Sequence, residues 1–588
     1  MKTRLLALLL TLALLLGLTA VPAAARDPII PEAYTYGGVA ALQGAGLQML
    51  DAFQDALDIA TLPLGTLFST RGFYIVLDRL VTRLIQMLLT GIEGLIPPAR
   101  PRESVKDYIS EDFLPGYEKF SDKQGKFSLG YDSRSILPAD FGEKGYRMGG
   151  YDFNKLSTET CDDLKVRTVV IDDGTGRGAV AIACLDVIGL ANADVRLIRA
   201  KLRDLVDDGT LVSINVAVTH THSAIDSLGL WGNDLLKLVP NNIASAYLPW
   251  LFKPMQGVDQ TFLDTMVDQT AASIRAAAKA RQPGTLYYAT KDMEGWFGDA
   301  IDPRVIDETL YRLRFVPDKA GARQTIIANF SAHPESVGVI TDDNPGDVVS
   351  GDFVPYIEET VNKEGKANFL FLQGPIGTRI NANIGRATAG IPGLNRLQST
   401  QTYGRAVGRE ILGMKGETVV APVLNVAHRE ILLEGKNPVL KAAGKMWLAE
   451  TKMIMDRWTG RTYVLTEVGY LELGNLKFLL QPGETSPELL LGGSNLTAAG
   501  SVTGKDYSLK PLREYIPGLI VLDEMNDSLG YIIPDSDSTN LLLRYIDGEL
   551  TPQGSMMANL NDALLLTFST KVASDLGKAF LELVKGVR

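Results

Sequence analysis

The 588-residue sequence is poor in the residues that most often build reactive sites, with only two cysteines and four histidines. No C-x-x-C pair occurs, which argues against a cysteine-ligated metal or a dithiol redox centre. Neither a P-loop nor a G-x-G-x-x-G turn in a βαβ context is present, so no motif predicts nucleotide binding. The formal net charge of −11 argues against nucleic acid as a partner, because non-specific binding requires a basic surface.

The first 25 residues have the pattern of a secretory signal peptide. Lys2 and Arg4 are followed by an apolar run from Leu5 to Leu18 and by the small residues 23–25. This order predicts cleavage near Ala25 and export, either secretion or retention in the periplasm or cell envelope. An uncleaved membrane anchor is the alternative interpretation.

Residues 26–120 form a second region, for which we expect amphipathic helices. Leu42–Ile59 spaces its apolar residues as a helix does, and Phe73–Ile96 is strongly apolar but carries charges in its first half. Three interpretations remain open: a helical hairpin packed on the body, a cap over its mouth, or a membrane-surface contact through residues 38–96.

From about residue 125, short strand-like segments alternate with helical ones, which predicts an α/β domain of packed layers with mixed sheets. We assign residues 121–588 to this domain, with two possible lobes at 121–430 and 431–588. Cys184 ends the strand-like run 179–184, and Cys161 precedes another strand-like run at 166–171. A disulfide between them is possible if those strands pair, and the sequence leaves it open.

The histidines are concentrated where strand-like runs end. His220 and His222 follow the apolar run 211–218, and His333 follows the run 325–328. Alternation along a strand that continued to residue 222 would put His220 and His222 on one face. Because ligands bind at the carboxyl ends of strands in open α/β sheets, these residues predict a metal site there. His428 lies within an apolar run and is expected to be a hydrogen-bonded core residue.

Two later segments have the same strand-then-loop character, one reaching Glu484 and one reaching Tyr531. Taken in order, the four junctions resemble neutral ceramidases. That family carries Thr-His-Thr-His, a Phe/Trp-x-x-His-Pro/Ala segment, Pro-Gly/Ala-Glu-Phe-Thr and a Tyr-Ile-x-Thr-Pro segment. The corresponding segments here are Thr219–His222, Phe330–Pro334, Pro482–Thr485 and Tyr531–Pro534, and the resemblance spans roughly residues 125–535.

The resemblance implies one Zn²⁺ ion held by His220, His333, Glu484 and Tyr531, with His222 contacting the substrate. Imidazole and carboxylate are ordinary zinc ligands, and zinc at an open site activates water for attack on an amide. In that setting His222 is expected to steady the oxyanion or to carry a proton.

The sequence also departs from the family. The family's Gly-Asp-Val-Ser-Pro-Asn stretch provides a serine, but residues 374–383 here read Gly-Pro-Ile-Gly-Thr-Arg-Ile-Asn-Ala-Asn, with no serine. The family's substrate-contacting arginine is missing near residues 293–302, and Arg304 and Arg379 are the candidate replacements. The family's C-terminal immunoglobulin-like domain is also not expected.

Asp352 lies where the resemblance puts a Ser-Asp pair near the site. It is expected either to orient a ligand histidine through the free ring nitrogen or to cap the helix that begins at Val354.

These observations predict an exported, ceramidase-like zinc hydrolase that cleaves an amide bond of an N-acyl sphingolipid or related lipid by metal-activated water. Two alternatives are a hydrolase of a non-lipid amide or ester on the same scaffold, and a non-catalytic zinc-containing envelope or binding protein. The substrate and the oligomeric state do not follow from the sequence.

Overall fold

A computed structural model describes residues 110–588, Tyr108 and scattered positions between 46 and 76. Ten gaps interrupt this range, at 151–153, 232–234, 249, 300–304, 339–346, 378–379, 447–449, 456–460, 502–503 and 539–566. The predicted signal peptide and most of the predicted N-terminal helical region therefore lie outside the described residues. Within the described part of the chain, no helix has the length and apolar character needed to cross a bilayer.

The strands form two main sheets and several two-stranded pairs. In the first part of the chain they are β1 (Ser128–Ser135), β2 (Tyr146–Arg147), β3 (Leu156–Ser157), β4 (Glu159–Thr160), β5 (Lys165–Asp172), β6 (Ala179–Leu185), β7 (Leu211–Val218), β8 (Gln282–Asp292), β9 (Phe297–Asp299), β10 (Thr309–Pro317), β11 (Gln324–Phe330), β12 (Val348–Val349), β13 (Ala367–Gln373), β14 (Ile380–Ala382) and β15 (Thr418–Val419). The later strands are β16 (Leu424–Glu434), β17 (Met453–Met455), β18 (Thr462–Leu473), β19 (Leu476–Leu480), β20 (Glu484–Thr485), β21 (Leu519–Leu522) and β22 (Tyr531–Ile532).

The helices lie between and after these strands. In chain order they are α1 (Phe141–Lys144), α2 (Asn192–Ala200), α3 (Arg203–Asp207), α4 (Leu235–Tyr247), α5 (Gln260–Lys279), α6 (Val354–Lys363), α7 (Ile384–Thr388), α8 (Arg396–Gly413), α9 (Pro438–Lys445), α10 (Glu488–Leu491), α11 (Leu512–Tyr515) and α12 (Val572–Val587), with a short 3₁₀ turn at Ser494–Leu496. Local capping explains two starts: Asp259 accepts from the first amides of α5, and Asn395 with Gln398 forms a capping box on α8.

The nine-stranded large sheet has the order β13-β11-β10-β8-β1-β5-β6-β7, with β15 beside β8. Its two halves share one topology, in which three antiparallel strands lead through a helical crossover to a parallel fourth strand and then to a long helix. The crossover is made by α2 and α3 in the first half and by α6 in the second. The sequence shows no matching repeat, because this topology needs only the same apolar pattern in each half.

A second, five-stranded sheet has the order β16-β18-β19-β21, with β17 beside β18. One apolar cluster joins the two sheets face to face, with Val169, Ile182 and Leu372 on the large sheet and Leu471 and Phe478 on the second. Helices α2, α5, α6 and α8 cover the other face of the large sheet, and α12 covers the second sheet. The predicted layered α/β domain with mixed sheets is confirmed, and the two possible lobes at 121–430 and 431–588 stay a prediction.

The structure contains no disulfide between Cys161 and Cys184. Strands β5 and β6 do pair as an antiparallel hairpin, but Cys161 and Cys184 are both free thiols. Cys184 is buried in the interface between the sheets, whereas the Cys161 sulfur lies 3.7 Å from an Asp162 carboxylate oxygen.

Candidate metal centre

Three of the four histidines meet in one cluster. The ring centroid of His220 lies 5.0 Å from that of His222 and 5.1 Å from that of His333, and the His222 and His333 rings are 5.8 Å apart. His220 and His333 are buried, while His222 is half-buried. The ligand atoms of all three lie close enough together to bind one metal ion.

The chain reaches this cluster by a turn. The strand predicted to continue through His222 ends at Val218, and His220 has a φ of 64° in the left-handed region. The two imidazoles therefore converge because the backbone turns out of the sheet, and not because they alternate along a strand. A non-glycine residue in this conformation costs about 1–3 kcal/mol, and such strain is concentrated at functional sites.

Backbone hydrogen bonds lock the two histidine loops together. The His222 amide donates to the Pro334 carbonyl at 3.0 Å, and the His333 amide donates to the Ile380 carbonyl at 2.8 Å. Gly150 has a φ of 127°, and a Cβ there would lie 2.9 Å from the Cα and Cβ of His222. The loop carrying His222 is therefore packed too closely for a side chain at that position.

Gln373, at the end of β13, joins the two loops through its side chain. Its amide nitrogen donates to the Thr219 carbonyl at 3.2 Å and to the Ala332 carbonyl at 2.9 Å, and its oxygen accepts from the Ala332 amide. Each carbonyl lies next to the segment that carries a clustered histidine. The sequence analysis missed this residue, although a polar side chain at the end of an apolar run was the available signal.

The second sheet contributes the carboxylates. Glu484 is buried, and its Oε2 lies 3.0 Å from Nε2 of His333 while its Oε1 lies 3.8 Å from Nε2 of His220. The Glu484 amide donates to the Gly530 carbonyl at 3.0 Å, which ties the loop to the start of β22. The predicted ligands His220, His333 and Glu484 are thus neighbours, brought together from strand ends of both sheets.

A further carboxylate, Glu524, follows β21 and was not predicted. It is buried, has a φ of 54°, and its Oε2 lies 3.9 Å from Nδ1 of His220. The ligand atoms of Glu524, Glu484 and His220 lie within 4.8 Å of one another, close enough for all three to bind one metal ion. The signal was available, because Asp523 and Glu524 follow an apolar run just as the histidines do.

Burial and neighbouring charges shift the protonation of the cluster in opposite directions. Burial lowers the pKa of His220 to about 4, against the opposing effect of Glu484, so its neutral imidazole is favoured. Burial also acts on His333, but the Glu484 carboxylate outweighs it and raises the pKa of that residue. Burial and the nearby Glu484 charge raise the pKa of Glu524 well above its usual range.

These shifts and the side chains present fit a site that could bind a cation. Among the described residues, His220 Nδ1 and Glu524 Oε1 are buried without a hydrogen-bond partner. Burying an uncompensated carboxylate is costly, and a divalent ion bound between imidazoles and carboxylates removes that cost. Neutral imidazole and carboxylate donors are the set that zinc and related transition metals accept.

Tyr531 lies beside this set through its strand pairing. In the parallel pair of β20 and β22, Tyr531 is directly opposite Glu484, so the two side chains emerge on the same face. The tyrosine is buried, with 7% of its surface exposed. Its assignment as a metal ligand stays a prediction.

Asp352 accepts hydrogen bonds from two backbone amides near the cluster. Its Oδ2 accepts from the Val337 amide at 2.6 Å and its Oδ1 from the Phe353 amide at 2.8 Å. The Nδ1 atom of His333 instead lies 2.9 Å from the Ile380 carbonyl. The backbone therefore occupies that ring nitrogen of His333, and the aspartate holds the loop that follows His333. The assignment of Asp352 as a site residue stays a prediction. The α6 N-cap residue is Phe353 and makes no side-chain cap, so the capping alternative does not hold.

The arginine candidates Arg304 and Arg379 lie outside the described residues, so their assignment stays a prediction. The loop that precedes Arg379 packs directly on the backbone of the Glu484 loop. A Cβ on Gly377 would lie 2.3 Å from the Glu484 carbonyl oxygen and 2.4 Å from the Ser486 amide nitrogen. The place where the family carries its serine is thus in contact with the Glu484 loop.

Fold and centre together define a class: a layered α/β protein with a buried imidazole–carboxylate site at strand ends. No family model and no curated protein matches the sequence. Among solved structures, the neutral ceramidase from Pseudomonas aeruginosa is similar, with a TM-score of 0.52 and 17% identity over 77% of this chain and 75% of that chain. A ceramidase complexed with C2 gives a TM-score of 0.49 and 15% identity over 77% and 76%. The chain has the neutral-ceramidase fold, which confirms at the level of fold the resemblance inferred from the sequence.

Proposed function

We propose that the protein is an exported, zinc-dependent amidase that hydrolyses the amide bond of an N-acyl sphingolipid or a closely related lipid. The observation that carries this proposal is the cluster of three histidines with Glu484, buried at strand ends on a neutral-ceramidase fold. Bound zinc would supply a Lewis acid and lower the pKa of a water molecule to about 7.

The residues of the cluster would have two roles, metal binding and contact with the substrate. His220, His333 and Glu484 would hold the metal, with Tyr531 completing the set from the neighbouring strand. His222 is the half-buried member of the cluster, so it is the imidazole that a substrate can reach. It would donate a hydrogen bond to the developing oxyanion or carry a proton to the leaving amine.

A lipid substrate has to be drawn from a membrane, and the loop after α4 supports that step. Trp250 and Leu251 are 72% and 68% exposed, and Phe252 and Met255 are 40% and 41% exposed. Tryptophan and large apolar side chains of this kind settle at the level of lipid headgroups. The surface contact predicted for residues 38–96 lies almost entirely outside the described residues.

Metal analysis combined with an activity assay tests the proposal. The mature protein should contain one zinc ion per chain and hydrolyse a fluorescent short-chain ceramide. A chelator should abolish turnover, and added zinc should restore it. His222→Gln should retain zinc but lose turnover, whereas His220→Ala should lose both.

The same experiment separates the alternatives. Zinc without turnover of ceramide, but with turnover of another amide or ester, would identify a different substrate on this scaffold. Stoichiometric zinc with no hydrolysis of any of these substrates would indicate a non-catalytic binding protein. A folded chain that binds no zinc would refute the metal centre itself.

A further inference from the structure

Glu484 and Glu524 face opposite edges of the His220 ring. The nearest carboxylate oxygen to Nε2 is Oε1 of Glu484, at 3.8 Å, while Oε2 of Glu524 is 3.9 Å from Nδ1. Nε2 of His333 also faces Glu484, at 3.0 Å. The Nε2 atoms of both histidines therefore point toward Glu484, and Glu524 lies behind His220.

In His333, the ring nitrogen that points away from Glu484 has a hydrogen-bond partner. His333 Nδ1 lies 2.9 Å from the Ile380 carbonyl, which leaves its Nε2 for the metal. A ligating histidine almost always donates its second ring N–H to a carboxylate, carbonyl or water, because this fixes the tautomer and strengthens the ligand. Among the described residues, His220 Nδ1 has no hydrogen-bond partner with good geometry, although the Ile188 backbone makes a hydrogen-bond contact with the ring that raises its pKa.

Glu524 is held firmly in that position by its neighbours. The Val218 amide donates to the Glu524 carbonyl, and Asn526 exchanges two hydrogen bonds with Val216 at 2.7 and 2.8 Å. The segment carrying Glu524 is thus bonded to the last residues of the strand that leads to His220. Ser528 donates to Glu524 Oε2, which leaves Oε1 buried and without a partner.

We propose that Glu524 is the positioning residue of His220: its carboxylate accepts the Nδ1 proton and so presents Nε2 to the metal. The inference rests on the proposed zinc centre and adds a residue that the family motifs do not include. The present separation of 3.9 Å is compatible with this role, because hydrogen bonds of reactive sites are often long before the ligand binds and shorten afterwards.

The small number of histidines makes the tautomer directly observable. With four histidines in the chain, a full-length protein labelled with ¹⁵N only in histidine gives four sets of two-bond ¹H–¹⁵N signals. The set that disappears in His220→Gln identifies His220. In the zinc-loaded wild type, we expect His220 to carry its proton on Nδ1 and to bind zinc through Nε2. Zinc on Nδ1 of His220 would overturn the proposal without any further variant.

Glu524→Gln provides the second measurement, with Asp527→Asn as its matched control. Asp527 is a buried carboxyl on the same loop that accepts from the Asn192 and Ser528 amides, and no metal-binding group among the described residues contains it. Competition with a chromophoric chelator should show zinc binding weakened about 10- to 100-fold in Glu524→Gln, as for other partners of ligating histidines. The control should bind zinc as the wild type does.

The outcomes separate this inference from the proposed function. Wild-type zinc affinity and an unchanged His220 tautomer in folded Glu524→Gln would overturn the role of Glu524 while leaving the metal centre intact. A wild-type protein that binds no zinc would instead refute the centre.

Discussion

Two buried clusters in this protein each pair a histidine with a glutamate, and they differ in what neutralises the carboxylate. In the first, Glu467 accepts from both terminal nitrogens of Arg199, at 2.5 and 2.8 Å. His428 Nδ1 lies 3.9 Å from Glu467, and its Nε2 lies 2.9 Å from the Ser213 hydroxyl. The predicted role of His428 as a hydrogen-bonded core residue is confirmed.

In the second cluster, around His220, Glu524 has no arginine or lysine partner among the described residues, and its ion-pair contact is with His220 alone. The contrast is also visible in the pKa values. The pKa of Glu467 is lowered to about 2, against the effect of burial, by Arg199, whereas burial and the Glu484 charge raise that of Glu524. The histidine–glutamate pair with its own arginine is a structural unit, whereas the pair at His220 belongs to a group that could hold a metal ion.

The largest expected effect comes from removing a clustered histidine. His220→Ala or His333→Ala should lose most of the zinc, with an affinity weakened more than about 100-fold, because a lost ligand costs more than the 10- to 100-fold typical of outer partners. His428→Ala should keep its zinc. Metal analysis of the folded proteins checks this, and equal zinc content in all three variants would contradict the distinction between the clusters.

Breaking the arginine-paired cluster should cost stability and leave the metal in place. Glu467→Gln removes the partner of the fully buried Arg199 and should cost about 3–5 kcal/mol of unfolding free energy. Glu430, a less buried partner of Arg196, is the matched control, and Glu430→Gln should cost at most about 1 kcal/mol. Denaturant unfolding measures both, and a loss of zinc from folded Glu467→Gln would show that the clusters are not independent.

A smaller effect is expected from the amide that joins the two histidine loops. Gln373→Met keeps the side-chain volume but removes the hydrogen bonds to the Thr219 and Ala332 carbonyls. Zinc affinity should fall about tenfold, as it does when a supporting contact of a ligand is lost. Asn368→Ala, on the same strand but bonded to Thr325, should bind zinc normally. Equal affinity in both variants would rule out Gln373 as a support of the site.

The smallest effect is a pH dependence. Burial lowers the pKa of His428 from 6.5 to about 4, so its neutral form stabilises the fold above pH 6.5 and that stability is lost as the pH falls toward 4. In this pH range, the wild type should lose unfolding free energy as the pH falls, and His428→Gln should lose less. The difference should be at most about 1.4 kcal/mol per pH unit, because only one proton is involved. Unfolding at pH 7 and pH 5 measures the change, and an unaltered slope would contradict it.

The parts of the site that the sequence predicted share one property. His220, His333 and Glu484 each follow a strand-like run, and strand ends of a layered α/β domain converge on one edge. That rule placed them together without a structure. It was applied to histidines and to one glutamate but not to Glu524, whose position after β21 satisfies the same condition.

Some features of the site could not be predicted, because a local sequence pattern gives no information about partners that are distant in the chain. The apolar run before His220 does not indicate that the backbone turns at a φ of 64°, and Asp352 is bonded to backbone amides that only the folded loop brings near. The topological repeat within the large sheet is also invisible in the sequence, since many combinations of apolar residues build the same strand and helix.

The sequence by itself determined the layered α/β architecture, the neutral-ceramidase resemblance and the identity of the clustered histidines, because apolar periodicity and strand ends are local properties. Only the tertiary structure decided which buried glutamate beside a histidine has its charge compensated. That decision depends on whether an arginine from another element reaches the carboxylate, as Arg199 reaches Glu467 and as no described cation reaches Glu524. Charge compensation inside a core is a property of packed neighbours, and the order of residues along the chain does not contain it.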